Sequence, residues 1–253
     1  MHGTIPSSSE SFQGKMNSRL PVSEETFMGR EKDMENITKL LKFYGHLRII
    51  TILGMPGVGK STTALQLAHQ ERHNGTAVMH VDLSGMENVN GIKTEIVEQA
   101  FGYHAQSVPE TNRVFKDWMY GCSKPMLLIL DNYDQLVHYH DRADPAYLEF
   151  GKFVVSELHK YLGETTVVIT TRKEPTFFRH LSQIDAWNHT LQPLSDDSSV
   201  NLLASHLKIA SDYERELLRP IAELIGGVPI ALGIAVVLIR NEGINSTFQS
   251  TLL

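Results

Sequence analysis

The stretch "LRIITILGMPGVGKSTTALQLAHQER", Leu47 to Arg72, decides how the rest of the chain is read. Leu47–Leu53 is dominated by β-branched and aliphatic residues and predicts a strand. Ser61–Arg72 places Ala64, Leu67 and Ala68 on one side and predicts a helix. Between them Gly54–Ser61 fits the pattern G-x-x-x-x-G-K-[ST] with the required strand before it and helix after it. Glycine weakens regular structure, so a cluster of glycines at this junction needs a reason. A loop that wraps phosphate turns successive backbone N–H groups inward, which demands unusual dihedrals and bare backbone, and glycine supplies both. The following helix adds its positive end. On this reading Gly54, Met55, Pro56, Gly57, Val58 and Gly59 form a phosphate cradle. Lys60 reaches the β- and γ-phosphates, Ser61 Oγ ligates Mg²⁺, and the Thr62 N–H meets the α-phosphate.

Working outward, Arg30–Tyr44 has Met34, Ile37, Leu40 and Leu41 at helical spacing. Further strands are predicted at Ala77–Ser84, Pro125–Asp134 and Thr165–Arg172, with helices around Ile92–Phe101 and Tyr147–Leu162. Near-continuous apolar runs such as "MLLIL" suit a parallel sheet covered on both faces, and strands alternating with helices imply right-handed βαβ units. Beyond Leu194 only helical patterns remain: Val200, Leu203, Ala204 and Leu207 on one face, then a helix broken or kinked at Pro220 and ending at Gly226-Gly227, then the apolar Val228–Ile239. The expected fold is therefore α/β, a P-loop three-layer parallel sheet flanked by helices, followed by a small all-α subdomain. Its expected divisions are a disordered leader over 1–26, the nucleotide-binding α/β domain over 27–193 and the helical subdomain over 194–253.

A phosphate-bound Mg²⁺ needs a fixed carboxylate at the end of a neighbouring strand, and Asp131 directly follows Leu127–Leu130. Ser61 and Asp131 are thus the candidate metal ligands. The next residue is Asn132, whose amide takes no proton, so slow hydrolysis at most is expected and Asp134 is the nearest acid that could orient water. Arg172 ends the strand "VVITTR" at the same sheet edge, where it could sense the γ-phosphate.

Composition narrows the partners. The chain has 253 residues, 42% of them hydrophobic, and a net charge of 23 − 29 = −6, so it lacks the broad basic face that nucleic-acid binding usually needs. A single cysteine, Cys122, excludes an internal disulfide and fits a reducing, cytoplasmic setting. The longest apolar run, Val228–Ile239, is too short to span a bilayer, and the Ser-rich N-terminus has no apolar core of a secretory signal. His138 and His140 sit in a loop-like stretch without a third ligand at helical spacing.

Several segments together resemble the STAND NTPases, in particular their NB-ARC (apoptotic ATPase) branch. "FMGRE", Phe27–Glu31, resembles the motif ahead of that family's first helix, and "GMPGVGKST" resembles its P-loop. "LLILDNYDQL" is similar to its second acidic motif, "VVITTR" to its sensor strand, "LQPLSDDSSVNLL" to the opening of its helical subdomain, and "IGGVPIALGI" to its G-x-P motif. The resemblance spans Phe27 to about Ile239 in the family's order. It implies ATP or ADP as ligand with Mg²⁺. It implies adenine contacts from the backbone of Phe27 and Met28, Arg30 near the sugar or base, and Pro229 against the adenine. It also implies a nucleotide-controlled molecular switch that assembles with protein partners or with itself through further domains, a winged-helix domain among them, which this chain stops short of at Leu253. The rival readings are a catalytic P-loop enzyme, such as a small-molecule kinase or active ATPase, and a scaffold that binds no nucleotide.

Overall fold

The structure, a computed structural model, describes residues 20–22, 26–41, 48–122, 126–136, 145–158, 165–175 and 185–244. Most of the predicted leader and the His138–His140 stretch lie outside the described residues. Leu20 and Pro21 are described, and they already touch the domain: Leu20 packs against the core and the Pro21 carbonyl lies 2.8 Å from His69 Nε2.

Five strands, β1 (Arg48–Leu53), β2 (Ala77–Asp82), β3 (Met126–Asp131), β4 (Thr166–Thr171) and β5 (Asp185–Thr190), form one sheet in the order β2-β3-β4-β1-β5. Every pairing is parallel, so all five carboxyl ends meet one edge. Alternate residues serve opposite faces. Ile50, Ile52, Leu127, Ile129 and Val168 enter one core, while Ile49, Leu128, Leu130, Val167 and Ile169 enter the other. Both cores are closed to water, which is why these strands read as unbroken apolar runs.

Helix α1 (Glu31–Leu41) buries Met34 and Ile37 beside α2 (Lys60–His73), whose Ala64, Leu67 and Ala68 face the same core. The opposite face carries α3 (Val89–Phe101), α4 (Val108–Gly121) and α6 (Pro145–Lys152), the last running into a wider π-helical turn over Phe153–Leu158. The short α5 (Tyr133–Leu136) follows β3. Helix α4 and strand β5 are departures from the predicted elements. Helix α4 opens on Ser107, whose hydroxyl accepts from the Glu110 N–H, and buries Val114, Phe115, Trp118 and Met119 at helical spacing. Over 186–190 of β5, Trp187 and His189 are half-buried and the residues between them exposed, because this strand covers one edge and pairs with β1 alone.

The helical subdomain consists of α7 (Asp196–Leu207), α8 (Asp212–Glu216), α9 (Arg219–Ile225) and α10 (Pro229–Glu242). It has its own core of Val200, Leu203, Leu218, Ile221, Leu232 and neighbours. The predicted break near Pro220 is two helices, with the proline in the first turn of α9, where its missing N–H is harmless. Gly227 explains itself sterically: its φ is +73°, and a Cβ there would stand 2.0 Å from the Leu194 carbonyl oxygen. The close approach is a hydrogen bond, Leu194 N–H to Gly227 O at 2.8 Å, which ties the turn before α10 to the segment that follows β5.

Candidate nucleotide site

The cradle occupies the turn from β1 to α2, at the carboxyl edge of the sheet. The chain then crosses to β2 on one side, and after β4 it crosses β1 to reach β5 on the other. Such a reversal leaves a crevice outside the strand ends, where open α/β sheets take their ligands. Gly57 has φ +76° and a Cβ on it would meet Ile230 Cγ2 at 2.2 Å, so this position is closed to any side chain.

Helix α2 begins at Lys60 with Gly59 as its N-cap, no side-chain cap and no acidic residue in the first turn. By contrast α3, α4 and α7 are capped by Asn88, Ser107 and Ser195. A positive helix end without a protein anion suits an anionic ligand. Lys60 Nζ donates to Gly54 O at 2.9 Å and Met55 O at 3.1 Å, an ammonium held over the loop by carbonyls alone. Burial lowers its pKa, opposed by Asp134 and aided by Arg172.

Asp131 is 4% exposed at the end of β3. Its Oδ1 accepts from Ser61 Oγ at 2.9 Å and from Thr170 Oγ1, and His80 Nε2 lies 3.6 Å from Oδ2. Burial works to raise its pKa, but the His80, Thr170 and Ser61 donors outweigh burial and hold the carboxyl below its ordinary value. Thr170 also accepts the Asn132 N–H at 2.9 Å, so Asp131 and the turn after it are positioned from the neighbouring strand β4.

Asn132 adopts φ +62°, a left-handed conformation that asparagine tolerates better than most residues. Its Nδ2 donates to Asp82 Oδ1 at 2.9 Å, turning the amide toward β2. The Asp134 carboxylate accepts from Thr171 Oγ1 at 2.9 Å and Arg172 N–H at 2.7 Å, and Arg172 Nε lies 3.3 Å away. These bonds bind α5 to the end of β4 and hold Asp134 and Arg172 together.

A cavity of about 620 Å³ opens between this edge and the helical subdomain. Pro56, Gly57, Gly59, Lys60, Ser61 and Thr62 line it from the cradle, with Asn132, Asp134 and Arg172 beside them. Pro229 lines the facing wall, and α10 is drawn onto the cradle by the Ile230 N–H to Gly57 O bond of 3.3 Å. Asp131 lies behind Ser61. Val58 turns into the core, and its carbonyl accepts from Arg30 Nη2 at 2.7 Å. Gly54 and Met55 take part through their carbonyls.

The "FMGRE" residues do not line this cavity. Phe27 packs on the core beneath the cradle, and Met28 lines a separate cavity of about 460 Å³ with Glu31, Ser198, Asn201 and Arg215. Arg30 is 6% exposed, and its Nη1 also donates to Gln192 O at 2.7 Å and Asp33 at 3.1 Å. Its guanidinium therefore braces the cradle from behind. Sequence reasoning missed Thr170, Gln135, Leu202 and His206. Thr170 carried a signal, a hydroxyl at the end of a buried apolar strand that must find a partner. Leu202 and His206 carried none, since nothing local says which face of α7 meets a cleft.

The arrangement fits a Mg²⁺-bound nucleoside polyphosphate: an uncapped helix start, an ammonium, and a hydroxyl–carboxylate pair of oxygen donors that suits a hard cation. Among the described residues no cluster of three or more His, Cys, Asp or Glu could hold a metal, and no helix is long and apolar enough to cross a membrane.

Comparison with known proteins agrees with this geometry. Residues 50–183, over half of the chain, match the family described as "ATPase family associated with various cellular activities (AAA)". No curated protein matches the sequence. Among solved structures, the chain is similar to Drosophila ORC bound to DNA, with a TM-score of 0.65 at 16% identity over 100% of this chain and 68% of that one. It is similar to the ADP form of Aeropyrum pernix ORC2, with a TM-score of 0.64 at 15% identity over 92% and 71%. A Pyrococcus horikoshii STAND protein with a tetratricopeptide repeat sensor also matches, with a TM-score of 0.52 at 15% identity over 86% of this chain and 31% of that one. At these identities the likeness is one of fold.

Proposed function

The chain belongs to the AAA ATPase family, and from that premise we propose that it is a nucleotide switch of the STAND, NB-ARC-like kind. ATP or ADP with Mg²⁺ is held between the α/β domain, residues 27–193, and the helical subdomain, residues 194–253. The observation that carries this reading is the cavity itself, whose walls come from both parts and meet at the Ile230–Gly57 hydrogen bond. A ligand that touches both walls alters their relative orientation by its differential contact with each, and so alters which partners the faces meet.

Within the site Lys60 and the cradle amides bind the phosphates, while Ser61 and Asp131 hold the magnesium. Bound Mg²⁺ would screen phosphate charge and orient the terminal group. Arg172 is poised to leave Asp134 for a terminal phosphate. Pro229 offers a rigid apolar surface to the base. Hydrolysis is slow, because the residue after Asp131 is an amide already bonded to Asp82 and Asp134 is engaged with Thr171 and Arg172. The partners are proteins, in keeping with 29 acidic against 23 basic residues, although one similar structure is of a complex bound to DNA.

Hydrogen exchange with and without Mg-ADP tests the switch. Binding is expected to slow exchange both in the cradle and at the start of α10. Protection of the cradle alone would reduce the protein to a binding domain. Multiple turnovers per second by the purified protein would favour the active-ATPase reading instead.

A further inference from the structure

We propose that Arg30 is a positioning residue: it aims one amide of the cradle and ties that amide to the segment leading into the helical subdomain. This rests on the nucleotide reading above and assigns the coupling within it to one side chain.

A guanidinium only 6% exposed is costly to bury unless its donors are matched, and here groups far apart in the chain match them. Nη2 donates to Val58 O at 2.7 Å, while Nη1 donates to Gln192 O at 2.7 Å and to Asp33 Oδ2 at 3.1 Å. Asp33 is fixed in turn, since its Oδ1 lies 2.8 Å from Nε2 of His189 on β5. Arg30 thus presents a planar, anchored fork to two backbone carbonyls.

The first carbonyl matters because of the other side of its peptide. The Val58–Gly59 peptide is trans and planar, so its N–H points opposite to its C=O. Arg30 grips the oxygen from the buried side, and Gly59 lines the cavity. The Gly59 N–H is thereby aimed at the phosphate space, and the cation on the carbonyl strengthens it as a donor. The second carbonyl belongs to the exit from the sheet. Leu191 N–H donates to Leu53 O at 2.8 Å, Arg30 holds Gln192, and Leu194 N–H donates to Gly227 O at 2.8 Å. Ile230 N–H then returns to Gly57 O at 3.3 Å. These bonds close a circuit from the cradle through Arg30, the exit segment and the turn before α10 back to the cradle. A phosphate that draws in the Gly59 N–H moves the peptide that Arg30 holds, and the guanidinium passes that movement to Gln192.

Hydrogen exchange of the whole chain with and without saturating Mg-ADP, read at single amides, tests this together with calorimetry. In the wild type Mg-ADP is expected to slow exchange at the cradle and, about tenfold, at the Leu194 N–H. Arg30→Gln is expected to keep the slowing at the cradle while that at Leu194 falls below about twofold. Its Mg-ADP affinity is expected to fall about fivefold, which saturation offsets. Arg30→Lys keeps the charge without the fork and is expected to behave like Arg30→Gln. Exchange in α4 reports folding, since that helix packs in the core on the opposite face of the sheet. Should the Arg30 variants lose protection there, Asp33→Ala decides, because it loosens the guanidinium without removing it. It is expected to reduce the Leu194 slowing about threefold. Wild-type affinity or wild-type slowing at Leu194 in the variants that fold overturns the proposal. So does an equal loss of slowing at the cradle and at Leu194, the mark of a residue that only supports binding. If Mg-ADP slows nothing in the wild type, the nucleotide reading falls and takes this role with it. If the wild type responds at both places and the variants respond equally, only the role of Arg30 is removed.

Discussion

The two walls of the cleft are made by opposite means. On the sheet side every charged group is already in a network: Lys60 with the cradle carbonyls, Asp131 with Ser61 and Thr170, Asp134 with Arg172. On the helical side the surface is mostly hydrocarbon, and α10 continues it outward as exposed Ile230, Ile234 and Val237. The first wall is preorganised for charge, so little needs to move when an anion arrives. The second reaches the cradle through the Ile230–Gly57 hydrogen bond and is otherwise mostly apolar on this face. A difference of this kind suits a device in which one part recognises and the other responds.

The comparison can be broken most forcefully at Lys60. Lys60→Ala is expected to weaken nucleotide binding by more than about 100-fold, because it removes the one ammonium at the cradle. Calorimetry showing unchanged affinity would mean that the sheet-side wall is not the recognising one. Gly227→Ala attacks the joint inside the helical wall, where Gly227 meets Leu194. The left-handed backbone and the Leu194 carbonyl in its path predict a stability loss of about 3 kcal/mol in denaturant titration. A variant as stable as wild type would show that the joint is loose.

Asp131→Ala sharpens the comparison by separating metal from phosphate. Mg-ATP binding is expected to fall about tenfold and metal-free ADP binding much less. Equal losses would remove Asp131 from the metal role. The lowered carboxyl pKa has a further consequence with a definite sign. Its contribution to stability is present above the ordinary carboxylate range and is lost as pH falls through the folded value. Cys122 supplies the smallest effect and a control far from both walls. Burial pushes its thiol up to about 12. The folded state therefore favours the neutral form, and this preference begins to cost stability as pH rises past the ordinary thiol value. Native protein at pH about 8 is expected to alkylate at Cys122 much more slowly than unfolded protein. Equal rates would place the thiol in water.

Much of the sheet domain was legible because its signals are local. Leu127–Leu130 reads as a buried strand wherever it is placed, and Gly54–Ser61 announces its own backbone geometry. Strand β5 was not legible, since Asp185–Thr190 alternates weakly and becomes a strand through pairing with β1. Arg30 shows the same limit. Its side chain is held by the carbonyls of Val58 and Gln192, and the latter bond spans 162 residues, a pairing that no local motif encodes.

From its residues alone, this protein declares a phosphate-cradle motif, a candidate carboxylate at the end of a buried strand and much of the order of its elements, because those depend on spacing within single segments. Tertiary structure decided that Thr170 would orient Asp131, that Asp134 would hold Arg172, and that Pro229 and His206 would face the cradle. These are contacts between segments distant in the chain. Their geometry is set by how two separately packed cores meet, and no local pattern of residues encodes that meeting.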